Sequence, residues 1–350
     1  VTPFVEVHTL AGMVPMELWG GWGGVGFDSS LYLATGARTG GQASRVYRHD
    51  DRLGDTHWVQ ELATGTETLN KIRDGVDPGT GQPRLWVFNE GPQTGQSWLA
   101  YRSVGSPAWA YESIPFEGNA VGGRGLGVDG PQSALRIWAG GSPNWFSTQE
   151  GVLYQKIGAT WTEMRRHTPS LMWEIEFEGP GGARWEFWNG FGVVEHHTYR
   201  NSVVMPDPPG HDISQAAWFP PSGHLYVIGE LAGTSQRVSR FIGGNWATVL
   251  TMSQAARGDH VVYVPRGPGE LWAVGHQPLQ VYMSLNGTTW TDAGLPAIAS
   301  GSDSNHLTAL GFYLGRVWVA VRDAGAGLTR IYREVTVGTP TSGGASAFVI

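Results

Sequence analysis

The chain has 350 residues, 41% of them apolar and only 15% charged, which is enough for a real core and excludes a disordered polymer. Its 52 glycines and 21 prolines follow no Gly-X-Y period and form no low-complexity run, so they punctuate turns and do not build collagen or a linker. A net charge of −7 without a Lys/Arg cluster argues against nucleic acid as a partner, the lack of cysteine excludes disulfide and thiolate chemistry, and no apolar run reaches the length of a membrane span.

From the N-terminus, Phe4-Val5-Glu6-Val7-His8-Thr9-Leu10 reads as a strand with no unit of its own. Seven units follow, each with an apolar strand core behind a turn: Leu31–Ala34, Leu85–Phe88, Leu135–Trp138, Trp185–Trp188, Leu225–Ile228, Leu271–Val274 and Val317–Ala320. The intervals between their first residues are 54, 50, 50, 40, 46 and 46 (31 to 85, 85 to 135, and so on). That period fits one four-stranded propeller blade per unit.

Later in each unit comes an aromatic, at Tyr47, Tyr101, Tyr154, Tyr199, Phe241, Tyr282 and Tyr332, which marks a third strand. A tryptophan follows in five units (Trp58, Trp109, Trp161, Trp246, Trp290) and opens an outer strand. The fourth unit runs instead into Pro206, Pro208 and Pro209, so its outer edge should be weak. Short apolar stretches ahead of the cores supply inner strands: Gly24–Phe27, Gly125–Val128, Trp173–Phe177, Ala216–Phe219, Val261–Val264 and Leu307–Tyr313. The inner strand of the second unit is the least legible, around Lys71 to Pro83.

The seventh unit lacks a fourth strand before its Gly/Ser-rich end, and Phe4–Leu10 is the natural occupant of that place. The rival is Phe348–Ile350. The fold class is therefore all-β: a seven-bladed β-propeller of four-stranded antiparallel blades, closed by the N-terminal strand. Residues 1–338 form one domain and 339–350 a C-terminal tail.

In the sixth unit, Ser284-Leu285-Asn286-Gly287-Thr288-Thr289-Trp290 resembles the Asp-box, or bacterial neuraminidase repeat, a hairpin between third and outer strands. The resemblance implies a turn held by Ser and Asx oxygens, a glycine at positive φ and a tryptophan packed between blades. Weaker echoes end in Trp161 and Trp246. The family includes sialidases, but their early Arg-Ile-Pro signature is missing, so the resemblance speaks to fold and not to activity.

Propeller ligands meet the channel mouth, so the positions eleven residues before each strand core are compared: Gly20, Asp74, Arg124, Glu174, Ser214, His260 and His306. His260 and His306 fall at equivalent places, each near an acid (Asp259, Asp303), with His211-Asp212 close to that level. One reading is a metal or acid/base site of His211, His260 and His306; the other is histidines that hydrogen-bond within the scaffold. His196-His197 alternate across a strand and read as surface and packing residues. Tryptophans outside the repeat positions, Trp19, Trp22, Trp145 and Trp218, are candidates to stack on a sugar ring.

The leading functional expectation is a non-catalytic recognition propeller that binds glycan or a protein partner, extracellular or on a virion or cell surface. It needs no cofactor. The alternative is a glycoside hydrolase or lyase using Glu174, Asp74 and Arg124 with His260 or His306, and the third reading is a structural subunit of a homo-oligomer or larger assembly.

Overall fold

Short alternating strands separated by glycine turns leave a chain few ways to satisfy its backbone, and hairpin meanders are the simplest of them. The computed structural model describes residues 4–20, 30–36, 43–49, 54, 56–64, 69–89, 98–115, 121–129, 136–144, 150–168, 170–179, 181–190, 196–209, 212–231, 235–252, 257–276, 279–295 and 308–335. Among them every regular element is a strand, and these form seven antiparallel sheets of four.

The first strand, β1 (Phe4–Ala11), belongs to the last blade. Blade 1 follows as β2 (Val14–Trp19), β3 (Leu31–Gly36), β4 (Arg45–His49) and β5 (Trp58–Ala63). Blade 2 is β6 (Leu69–Val76), β7 (Pro83–Asn89), β8 (Trp98–Ser103) and β9 (Trp109–Ser113). Blade 3 is β10 (Val121–Asp129), β11 (Arg136–Asn144), β12 (Glu150–Ile157) and β13 (Thr160–His167). Blade 4 is β14 (Ser170–Phe177), β15 (Arg184–Gly190), β16 (His197–Arg200) and β17 (Val203–Met205). Blade 5 is β18 (Asp212–Phe219), β19 (His224–Leu231), β20 (Ser235–Ile242) and β21 (Asn245–Thr251). Blade 6 is β22 (Arg257–Val264), β23 (Glu270–His276), β24 (Gln280–Ser284) and β25 (Thr291–Asp292). Blade 7 is β26 (Thr308–Tyr313), β27 (Arg316–Asp323) and β28 (Leu328–Glu334), with β1 as its outer strand.

The core lies between blades, because each sheet is apolar on both faces. Trp86 and Phe88 of blade 2 pack with Leu126, Ile137 and Tyr154 of blade 3. Trp318 and Ala320 of blade 7 pack with Leu18, Leu31 and Leu33 of blade 1, and this last seam makes the row a ring. Such seams all the way around cover the apolar faces of every blade and leave only short, protected edges at the centre.

Closure by the N-terminus is direct. β1 pairs with β28 from Phe4↔Glu334 to Ala11↔Leu328. Arg330 binds Glu6 at 2.9 Å, the Tyr332 hydroxyl donates to Glu6, and the buried Thr329 hydroxyl donates to the Met13 carbonyl at 2.5 Å. The place offered to Phe348–Ile350 is thus taken by β1; that segment lies outside the described residues.

The second, third and outer strands fall where the apolar and aromatic series put them. The inner strand of blade 1 does not: it is Val14–Trp19, paired with β3, and Gly24–Phe27 lies outside the described residues. The connection from β2 to β3 is longer than in other blades, so counting back from the core stops short of the strand. In blade 6, the Ser284 hydroxyl accepts from the Gly287 amide at 2.8 Å and Asn286 Oδ1 accepts from the amides of Thr288 and Thr289. Gly287 sits at φ 72°, and a Cβ there would run into the Tyr226 hydroxyl of blade 5. Trp290 packs on the blade 5/6 seam.

Candidate functional site

Six of the seven inner strands share one irregularity. Their ladder to the second strand shifts between Pro15 and Glu17, Leu69 and Lys71, Gly123 and Gly125, Met172 and Glu174, Ile213 and Gln215, and Gly258 and His260. A bulge re-aims the side chain that follows it. The residues so placed, Glu17, Lys71, Gly125, Glu174, Gln215 and His260, form one level of the channel.

That level is polar, buried and internally bonded. Lys71 Nζ reaches Glu174 Oε2 at 2.5 Å. Blade 3 stands between their two blades, so the pair passes over its inner strand, where Gly125 and Gly127 carry no side chain. A Cβ on Gly127 would collide with Ile175 and Phe177 of blade 4. Glu17 accepts from the Ile72 amide and from Arg73 at 2.6 Å. His260 Nδ1 lies 2.7 Å from Gln215 Oε1. Glu174, Glu17 and His260 are exposed by only 0%, 2% and 4%.

Two residues further along the strands, toward the turns between inner and second strands, Trp19 is partly buried and packs against the seam of blades 1 and 2. Its indole N–H donates to Asp74 Oδ1 at 2.9 Å, and the Arg73 guanidinium lies 4.7 Å from its ring centre. Glu176, on β14 two residues beyond Glu174, also keeps contact with water.

Burial pushes the Glu174 carboxyl above its ordinary range, against the pull of Lys71 and Arg73. Burial likewise works against the charge of Arg73, but Glu17, Glu174 and Glu176 outweigh it and hold its pKa above the usual value. Glu176 is pushed up to about 7, by burial first, with Arg73 opposing and Glu174 reinforcing.

The sequence-predicted residues divide accordingly. Glu174 and His260 join the buried level that follows the bulges, and Asp74 and Trp19 are hydrogen-bonded to each other. Trp218 is half-buried beside Gly179 in the blade 4/5 seam, against Trp185 and Phe187. Arg124 lies on β10 inside the bulge, as Ser214 does on β18. Trp22, Trp145, His211 and His306 lie outside the described residues, and among those described no cluster of His, Asp and Glu is arranged to hold a metal.

Among the described residues, the positions eleven residues before each core do not share one level. Asp74 pairs with Leu85, Glu174 with Phe187 and His260 with Val274. Turns of unequal length between inner and second strands shift the count. The bulge gives the true register, and it brings in Glu17, Lys71, Arg73, Gln215 and Glu176, which the count passed over. The only sequence signal for Glu176 is the Glu174-Ile175-Glu176 alternation inside an apolar strand.

No protein-family model matches the chain, and no curated protein matches it. Solved structures do. A chain of a mitotic checkpoint complex superposes with a TM-score of 0.61 at 12% identity, over 95% of this chain and 96% of that one. A lectin of Aleuria aurantia in complex with Fucalpha1-6GlcNAc gives 0.51 at 11% identity, over 99% and 100%. A Hadza microbial sialidase gives 0.50 at 13% identity, over 93% and 66%. At such identities the likeness is one of fold. Among the described residues no helix is long and apolar enough to cross a membrane.

Proposed function

We propose that the chain is a non-catalytic recognition propeller that binds glycan at the mouth of its channel. The observation that carries this is the Trp19 indole: partly buried against the seam of blades 1 and 2, fixed by Asp74 through its N–H and with Arg73 over its ring. A flat apolar face held in place beside carboxylates suits a sugar ring, since stacking loses little side-chain entropy and hydroxyls find acceptors. The lectin among the structural neighbours supports the reading only as far as the shared ring allows.

The hydrolase or lyase reading needs Glu174 to reach a substrate. That carboxylate is fully buried and bound to Lys71, which favours recognition over turnover. The Ser284 and Asn286 bonds in the blade 6 hairpin support kinship with Asp-box propellers. An extracellular, virion or cell-surface station belongs to the same proposal.

A glycan array probed with the chain and with Trp19→Ala tests it. Binding that is lost in the variant, with the melting curve retained, is the expected result. If no glycan binds and the chain is recovered only within a stoichiometric assembly, the structural-subunit reading replaces this one.

A further inference from the structure

Blades 3 and 4 meet toward their outer strands through histidine. His167 is the last residue of β13, and its ring leaves blade 3 to lie on blade 4. There it stacks on His197 of β16, with ring centres 4.9 Å apart and planes 26° from parallel. It meets the Trp188 indole edge-on at 4.8 Å, and its Nε2 lies 2.8 Å from the Tyr199 hydroxyl. Two imidazoles so placed hold together while at most one carries a proton, because two imidazolium rings at that distance repel.

The groups around the stack decide what a second proton meets. On β13, the Arg165 guanidinium lies 3.6 Å from the Tyr199 ring centre, and Arg166 is bound by Glu150 of β12 and by Glu163. β15 contributes Glu186, which already serves Arg165 at 3.2 Å and Arg184 as well. Beyond β17 stands Asp207, bonded to Thr198 and facing His196 and His197; burial raises its pKa, with Thr198 and the two histidines opposing. Burial first, then His197 and Arg165, lowers the pKa of His167, and Glu186 offsets them only in part. Neutral His167 therefore belongs to the closed seam. Once the seam opens, the ring regains an ordinary pKa near 6.5, so opening is favoured as pH falls below about 6.5 toward the value in the closed form.

The two halves of this seam are unequally tied. Toward the channel, the Gly181 amide donates to Asp129 at 2.9 Å, and Ile175 and Phe177 press on Gly127 so closely that no Cβ fits. Toward the rim, β16 and β17 have only four and three residues.

We propose that the His167–His197 stack is an acid-sensitive latch, which on double protonation frees the outer half of blade 4 from blade 3 and bares Trp188 and Tyr199 while the inner half of the seam stays shut. The latch is independent of the glycan reading.

Hydrogen exchange of the full chain at pH 8 and pH 5, read by mass spectrometry and corrected for the intrinsic effect of pH, tests it. Peptides spanning β13 and β16–β17 should lose at least about tenfold in protection at pH 5, while those of β14 keep theirs. His167→Gln, which retains an acceptor for the Tyr199 hydroxyl, should cancel the acid loss. His197→Gln leaves the contact between His167 and Tyr199 in place and should reduce it. The latch is overturned if the unaltered chain shows no acid loss, if the loss spreads evenly over all blades, or if it survives at full size in either variant. Should His167→Gln already lack protection at pH 8, the His197→Gln result alone decides.

Discussion

Blade 7 is assembled from the two ends of the described chain, and blade 4 from one continuous stretch, yet blade 7 has the better-finished edge. β1 pairs through seven of its eight residues and is tied by Glu6, Thr329 and Arg322, the last two donating to the Met13 carbonyl. β17 has three residues, leaves Val203 and Val204 63% and 69% exposed, and runs into Pro206. The difference follows from consequence. If β1 detaches, a seam between blades is uncovered and the ring loses its closure; if β17 frays, one strand is lost while Trp246 of blade 5 still donates to the Pro206 carbonyl. Sequence adjacency makes an edge easy to form, but side-chain anchors decide which edge holds.

Deleting residues 1–11 should have the largest effect: loss of the cooperative melting transition by calorimetry, with exposed apolar surface detected by dye binding. Retention of a sharp transition would show that something other than β1 seals the ring. The inner side of blade 4 should prove far firmer than its outer edge. Lys71→Met strands the Glu174 carboxylate in the closed ring and should destabilise by about 3 to 5 kcal/mol in denaturant titrations. Thr329→Val removes the buried donor to Met13 and should destabilise by about 1 to 3 kcal/mol.

A smaller effect is expected from pH at the closing seam. His8 of β1 stacks on Trp58, and burial, with His49 adding to it, lowers its pKa. The unfolded chain then binds the proton more readily, so this contribution is complete above about 6.5 and falls as pH drops below that value toward the folded pKa. Melting temperatures of the chain and of His8→Gln, compared from pH 8 to pH 5, should converge toward the acid end. The smallest effect belongs to Val204→Thr on β17, expected within about 0.5 kcal/mol; a large loss there would mean that the outer edge of blade 4 is not as slack as its exposure implies.

The legible parts of the molecule are those where one physical rule dominates. Second strands such as Leu225–Ile228 are continuous apolar runs because both faces of a blade are covered. Outer strands open on tryptophans that pack across seams, as Trp161 does when its indole N–H donates to Glu112 of blade 2. The inner strands obey two rules at once. Ile72 faces the seam while Lys71 and Arg73 face the channel, so β6 has too many charges to read as a buried strand. The bulges left no mark in residue type, being followed by Glu, Lys, Gly, Gln or His, and without them the level of the channel residues could not be counted. Asp74 and Glu174 are therefore legible in the sequence as polar inner-strand residues, while the bonds they make to Trp19 and Lys71 are set by the fold.

The bond between Lys71 and Glu174 has a consequence for how such a ring can change over time. It joins blades that are not neighbours, bridging a third whose glycines make the crossing short. Duplicating or losing a repeat between them would separate the two charges and leave each desolvated without its mate. The opposite arc, from blade 5 to blade 7, carries no such span among the described residues, and a lineage that gains or sheds a repeat would do so there with the least penalty.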